Sequence, residues 1–366
     1  MYDLINTTGA DALIAAAGNL PLDDLAPKCK ALRLLTWVVE ATSQHMDWNG
    51  VPDTAADHLE ISVWHDLLSE SKGRATGDLS TNESGDAPTE LVAVWQAADP
   101  NQKPEVITFT QGNMVSAIAA SISALPLRQR FAGSDLVLPA DSFHHTYVLC
   151  QTFAGLYSHA SLAITSVAGL GVDLAAASRG VSPTVVICSP ETLLALHAKT
   201  SQNPISMPQI LGKYNQSQTL SAGRMPVSDA LFGFLAPPRS AIGNRPGRLR
   251  LIMTSYRVNA GSPPLSSAVL SDLRIFTRAR ICYALTAARV AGAVAQSNVF
   301  DYRVGADHFG TPLSSLEVRL ANTSDDEVSG ARPVGELVVS GPSVSGKETR
   351  LGVQAKINGD GTLGLV

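Results

Sequence analysis

The sequence predicts an α/β protein built on parallel βαβ units, with a smaller β-rich region at its C-terminal end. Of its 366 residues, 45% are hydrophobic and only 16% charged, against a usual charged share of about 25%. That balance fits buried cores and excludes a disordered chain or a coiled coil. Between 135 and 198, short apolar runs alternate with helix-length segments, the rhythm of parallel strands joined by crossover helices. After Phe309 the pattern changes to short alternating strands separated by turns. The length exceeds the ~250–300 residues at which one hydrophobic core stops growing, so more than one domain is expected.

In chain order, Ala10, Leu13, Ile14 and Ala17 repeat at helical spacing and predict a short helix over Gly9–Ala17. Leu32–Val39 is a compact apolar run, expected as a buried strand. Residues 71–89 hold one large apolar residue, Leu79, and read as a solvated insert. Leu91–Trp95 and Val106–Thr110 are expected strands, followed by a helix over Gly112–Leu125 with Asn113 placed to cap it. Strands are then expected at Asp135–Pro139, Ser161–Ser166 and Thr184–Cys188. Helices are expected at Ser142–Tyr157, Val172–Arg179 and Pro190–Ala198, the last beginning with proline. Lys199–Gly247, rich in Pro, Gly, Ser and Gln, reads as irregular with one short helix. Leu249–Thr254 resumes as a strand, Ser266–Phe276 as a helix, and Arg280–Tyr283 as a strand with a helix after it. Leu316–Leu320, Gly335–Ser340 and Leu351–Ile357 are the terminal strands.

Charge excludes further classes. The 27 basic and 32 acidic residues leave −5, with no basic block to neutralise a row of phosphates, so no nucleic-acid partner is expected. Cys29, Cys150, Cys188 and Cys282 are scattered, with no C-x-x-C pair, which fits a reducing compartment and small buried side chains. Asp3 and Asp11 stand where a secretion signal would carry positive charge. The apolar runs Val115–Pro126 and Ile281–Gln296 are short or broken by Arg289, so no transmembrane segment is expected.

Four patterns touch on chemistry, and none is complete. Gly169 and Gly171 suggest a dinucleotide loop, but Leu174 occupies the third glycine position. Gly341, Gly346 and Lys347 approach a phosphate loop, but Glu348 replaces the magnesium-binding hydroxyl and a strand follows, so a turn between strands is the better reading. His144 and His145, with Asp141 and His159, lack the ligand spacing of a metal site; neighbouring helical histidines would point to different faces. No G-x-S-x-G elbow supplies a nucleophile.

The order of segments resembles adenylate-forming (AMP-binding) enzymes of the long-chain acyl-CoA synthetase type. NTTGADALIAAAGN, CKALRLLTWVVE, KPEVITFTQGNMVSAIAA, SPTVVICSPETLLALH, LRLIMTSYRVNAGSPPLSSAVLSDLR, ICYALTAARVAGAV and GELVVSGPSV follow one another as the family's segments do. The resemblance implies the N-terminal portion of such an enzyme: two α/β subdomains with parallel-rich sheets plus a small β-barrel-like subdomain. The expected division is a partial first α/β subdomain over 1–90 with the polar insert, an α/β subdomain over 91–247, a continuation of the α/β core with the adenine-slot segment over 248–308, and a β-rich subdomain over 309–366. The family's mobile C-terminal domain, with its catalytic lysine, and its ribose-binding aspartate have no counterpart in these residues.

The resemblance also implies where function has changed. Against the family's "SGTTGkPKG" loop this chain reads ADPNQKPEV, with Asp99 and Gln102 for the glycines, Pro100 and Asn101 for the threonines, and Glu105 for a lysine. Two carboxylates beside a triphosphate would repel it by on the order of a few kcal/mol. "YGlTE" is YALTA, so Ala287 replaces the magnesium-binding glutamate. Lys103, Gly261, Ser262, Pro263, Tyr283 and Thr286 match the family's nucleotide-binding positions, and no catalytic or metal residue is assigned. The expectation is an acyl-CoA synthetase-like homologue that has lost catalysis and acts in binding or regulation. The alternative is a working fatty acid–CoA ligase using ATP, Mg2+ and CoA, either with non-standard residues or completed by a partner chain. Fatty acid, acyl-adenylate or a protein are the partners this implies, at an intracellular location, cytoplasmic or peripheral on a membrane.

Overall fold

A computed structural model describes residues 2–16, 21–39, 59–71, 90–99, 101–165, 167–204, 206–226, 235–302, 308–321 and 333–366. They fall into two compact units, Met1–Ala87 and Pro88–Val366. All but the first residue of the expected polar insert at 71–89 lies outside the described residues.

In the first unit, α1 (Tyr2–Thr8) leads to β1 (Ala12–Ala16), α2 (Leu22–Lys28), β2 (Leu34–Val38), β3 (Glu60–Val63) and α3 (Trp64–Ser71). The three strands pair in parallel in the order β1-β2-β3, over a core that includes Leu25, Leu32, Leu35 and Trp37. The expected helix at Gly9–Ala17 is therefore corrected to a strand. Gly9, at φ +63°, follows the end of α1, and β1 aligns residue for residue with β2. Leu13 and Ala15 share one half-buried face, so spacing that fits a helix serves a period of two once a partner strand is present.

In the second unit, β4 (Leu91–Trp95) and β5 (Glu105–Phe109) form an antiparallel pair. Next come α4 (Gln111–Ser123), β6 (Leu136–Pro139), α5 (Thr146–Tyr157), β7 (Ser161–Leu162), α6 (Leu174–Ala177), β8 (Val185–Ile187), α7 (Pro190–Ser201), α8 (Met207–Ser221), β9 (Leu251–Arg257), α9 (Ser267–Thr277) and β10 (Arg280–Thr286). After β11 (Ala295–Gln296) and β12 (Thr311–Pro312), a seven-stranded sheet is complete in the order β12-β11-β10-β9-β8-β6-β7. Its pairings from β7 to β10 are parallel, and Val185–Ile187 are wholly buried, as strands covered on both faces are. β13 (Glu317–Ala321), β14 (Val334–Ser340), β15 (Glu348–Ile357) and β16 (Leu363–Leu365) form an antiparallel sheet, with a bulge between Glu336 and Val338. The glycine-rich stretch from Gly341 to Lys347 connects β14 to β15, as the turn reading expects.

Four local expectations are corrected. The stretch 199–247 holds a fifteen-residue helix, α8, opened by a capping box between Ser206 and Gln209 and by Pro208 in its first turn. Among the described residues no helix follows β10. Ala291 N–H donates to Ser343 O (2.9 Å) and Val294 N–H to Leu285 O (2.7 Å), so tertiary bonds satisfy the backbone that a helix would have satisfied internally. The helix expected from Ser142 begins at Thr146, leaving His144 and His145 ahead of it. Thr110, not Asn113, is the N-cap of α4; Asn113 closes the box from the third helical position and also donates to Pro342 O (2.8 Å) and Val344 O (3.0 Å).

The amino-terminal edge of the sheet is tied by one carboxylate. Asp135 accepts from Arg250 Nε (2.8 Å) and Nη2 (2.6 Å), from Thr184 Oγ1 (2.7 Å) and from Ala132 N–H (3.0 Å). Burial alone would raise its pKa, but Arg250 and Thr184, with the Ala132 amide, hold it below the ordinary carboxylate value. Stability from this group is therefore full above about pH 4 and falls as acid protonates it. Asp135→Asn should lower stability by about 2 kcal/mol and remove part of the acid-dependent loss. Thermal midpoints compared between pH 7 and pH 3 check this, and equal midpoints at pH 7 would contradict it.

Candidate functional site

In the second unit a cavity of about 360 Å³ opens where the chain leaves β9 and β10, outside the carboxyl ends of parallel strands, where α/β sheets hold ligands. Gln102 and Lys103 line it from the β4–β5 turn, Val258 and Asn259 from beyond β9, Ala287 and Arg289 from beyond β10, and Arg350 from β15. A larger groove of about 520 Å³ on α4 and α5 is mainly apolar, lined by Val115, Ile118, Phe153 and Tyr157, and holds none of the motif residues.

The β4–β5 turn is folded on its own side chains. Asp99 Oδ1 accepts from the Asn101 N–H (2.9 Å) and Nδ2 (3.1 Å), and the Gln102 N–H donates to Asp99 O (3.1 Å). A phosphate-cradling loop must offer its amides outward; here two are already engaged inside the turn. Ala98 N–H donates to Asn259 O (2.8 Å), fastening the turn to the end of β9. At its other end Glu105 Oε1 accepts from Arg289 Nε at 2.6 Å. Both side chains of this pair keep contact with solvent. Lys103 is exposed and has no ion-pair partner among the described residues.

The other sequence-matched positions are outside the cavity lining. Gly261 sits at φ +69° with its ideal Cβ 3.4 Å from that of Ala98, so a turn residue tolerating positive φ lets the chain pass the β4–β5 turn closely. Ser262 is buried and its Oγ lacks a hydrogen-bond partner; Pro263 is half-buried. Tyr283 is buried, its hydroxyl accepts from Leu265 N–H (3.1 Å), and its ring lies 4.9 Å from that of Phe309. Thr286 Oγ1 donates to Tyr256 O (2.9 Å). Of the six matched residues only Lys103 faces the cavity.

Arg289 is the residue that sequence reasoning did not place. Its one signal was the interruption of the apolar run Ile281–Gln296, a charge surrounded by residues that bury. Ala287 is buried and its side chain offers no oxygen, and among the described residues no three His, Cys, Asp or Glu side chains gather as metal ligands. The one carboxylate of the lining, Glu105, is already paired with Arg289, so the donor set here does not fit magnesium, which demands oxygen ligands in near-octahedral geometry.

A second charged cluster lies at the carboxyl ends of β6 and β9. Arg257 Nη2 meets Asp141 Oδ2 at 3.0 Å, both side chains being almost wholly buried. Burial raises the Asp141 pKa against the pull of Arg257. His144 Nδ1 lies 2.6 Å from Ser142 Oγ, and its ring centroid is 3.7 Å from that of His145. Burial, then the charge of Arg257, pushes His145 down to about 3.

The family model for AMP-binding enzymes matches residues 103–346, about two thirds of the chain. A search of curated proteins gives no match. Among solved structures, an anthranilate CoA ligase in complex with anthranoyl-AMP is similar at 14% identity and a TM-score of 0.63, covering 99% of this chain and 60% of its own. A Mycobacterium tuberculosis fatty acyl CoA synthetase is similar at 13% and 0.59, covering 100% and 59%. A malonyl-CoA ligase with methylmalonyl-CoA and AMP bound is similar at 16% and 0.57, covering 100% and 68%. The chain thus spans about three fifths of the length of the first two. These likenesses show the fold expected from the sequence: parallel-rich α/β sheets followed by an antiparallel, barrel-like sheet. Among the described residues no helix is long and apolar enough to cross a membrane.

Because the folded-state pKa of His145 lies below its unfolded value of 6.5, its contribution is full above pH 6.5 and declines as pH falls toward 3. Histidine-ring NMR between pH 5 and 8 should show a neutral His145 with unchanging shifts. A titration midpoint near 6.5 would contradict the burial described.

Proposed function

The chain belongs to the AMP-binding enzyme family, and we propose that it binds an adenylate in the cavity between the β4–β5 turn and the ends of β9 and β10 without carrying out adenylation. The observation that carries this reading is the state of the phosphate-side rim. The turn spends its amides internally on Asp99, Glu105 faces the cavity where the family has a lysine, and Ala287 stands where a metal carboxylate would be. Electrostatic stabilisation of a leaving pyrophosphate is the largest service an adenylating site performs, and these substitutions remove it. The cavity itself persists, lies at the usual ligand position of such sheets, and has a volume near the lower end of small-molecule sites, about 300–1,000 Å³.

Lys103 is then the ligand-facing survivor of the matched set. Gly261, Ser262, Pro263, Tyr283 and Thr286 support the surrounding backbone. The role is that of a binding or regulatory protein, responsive to an adenylate, an acyl-adenylate or a fatty acid. The second reading, an active acid–thiol ligase consuming ATP with Mg2+ and CoA, is favoured by the likeness to ligases over nearly the whole chain.

Incubation with ATP, Mg2+ and fatty acids of graded length, with pyrophosphate release and hydroxylamine trapping as readouts, separates the two. No acyl-AMP above the protein-free rate is expected. ATP-dependent hydroxamate formation would overturn the proposal in favour of the ligase.

A further inference from the structure

The rim that rejects magnesium carries its own cation. Arg289 lines the same cavity as Ala287, two residues from the lost carboxylate, and approaches from beyond β10. Lys103 and Arg350 face that cavity too, and Glu105 is the one carboxylate among its lining residues. Arg350 is engaged by Glu336 (2.6 Å). Among the described residues the Arg289 side chain is held only by Glu105, through a contact at its Nε, and it is about half exposed, so the pair can open without unburying either partner. An arginine fork binds phosphate oxygens in two parallel hydrogen bonds, and its charge needs no coordination sphere.

We propose that this cavity takes a nucleoside monophosphate without any divalent cation, Arg289 leaving Glu105 to pair with the phosphate while Lys103 flanks it. The inference rests on the adenylate-binding reading and adds to it the charge carrier and its release. Glu105 then acts as an internal competitor: a carboxylate occupying the arginine until a doubly charged phosphate replaces it. A triphosphate is disfavoured, since the cavity supplies neither the metal nor the free turn amides that further phosphates require.

The test is calorimetric titration of the full chain with AMP, adenosine, inorganic phosphate and ATP, each with Mg2+ and with EDTA. AMP should bind equally in both, and more tightly than adenosine, phosphate or ATP. Arg289→Gln should weaken AMP by about tenfold, leaving adenosine unchanged. Glu105→Gln should tighten AMP by about threefold, the effect of freeing an exposed ion pair. Unchanged thermal midpoints without ligand would show that both variants fold. AMP binding that EDTA abolishes, an Arg289→Gln variant with wild-type affinity, or weaker binding by Glu105→Gln would each overturn the inference while the adenylate reading stands. Inorganic phosphate binding as tightly as AMP would overturn the nucleotide class, leaving a simple anion site. Absence of AMP binding under both conditions would instead defeat the adenylate reading itself.

Discussion

The central sheet depends on two aspartate–arginine pairs that straddle a short inner strand, β8. β8 has three residues and lies between β6 and β9, which do not touch as neighbours in the sheet. Asp135 and Asp141 flank β6, Arg250 and Arg257 sit at the start and end of β9, and the pairs Asp135–Arg250 and Asp141–Arg257 close over β8 at opposite edges. A parallel strand of three residues has few ladder bonds with which to fix its register, and a slip by one residue would turn its side chains to the opposite face. Two charge pairs that can form in only one alignment supply the missing specification. They are not equivalent. The Asp135 pair keeps some solvent contact and a depressed carboxyl pKa, whereas the Asp141 pair is desolvated and its carboxyl pKa raised. A desolvated pair contributes little net stability and is better understood as a device of alignment.

That alignment sets what the carboxyl edge can hold. With β9 and β10 matched from Leu251–Arg280 to Arg257–Thr286, Val258, Asn259, Ala287 and Arg289 leave the sheet together and face one cavity. Asn259, at φ +58°, turns the chain toward the β4–β5 turn and accepts the Ala98 amide there. Its side chain donates to Leu351 O (3.2 Å), so one residue joins three walls. The chemistry that this cavity can support is then decided by few charged groups: the carboxylate of Glu105, the ammonium of Lys103 and the guanidinium groups of Arg289 and Arg350.

The α/β class, the strands at Leu34–Val38, Leu91–Trp95 and Glu105–Phe109 and the alternation from 136 to 201 were legible because burial writes a continuous apolar run into each strand. The strand at Ala12–Ala16 was not, since Ala10, Leu13, Ile14 and Ala17 recur at helical spacing and nothing local shows that a partner strand is present. Nor was the irregular path after Thr286, where small apolar residues suit a helix but bonds to Ser343 and Leu285 decide otherwise. At the site, the family pattern pointed to Lys103 and to the loss at Ala287. It could not reveal the Glu105–Arg289 pair, because two residues so far apart in sequence and joined only at a rim leave no local signature.

Tyr283 and Thr286 each have a structural role that does not involve catalysis. The Tyr283 hydroxyl satisfies the Leu265 amide and its ring packs on Phe309, while the Thr286 hydroxyl satisfies the Tyr256 carbonyl. Removing the Tyr283 hydroxyl would leave the buried Leu265 amide without that acceptor, at a cost of about 1–3 kcal/mol. Asp99, Gln102, Lys103, Glu105 and Arg289 have contact with solvent, and substitutions at such positions usually change stability by no more than about 0.5 kcal/mol. The two classes of position are therefore constrained by the fold to different degrees. A buried tyrosine in the family's position records the fold, whereas the reaction is recorded only at the rim. There Ala287 and a half-exposed Arg289 line the same cavity.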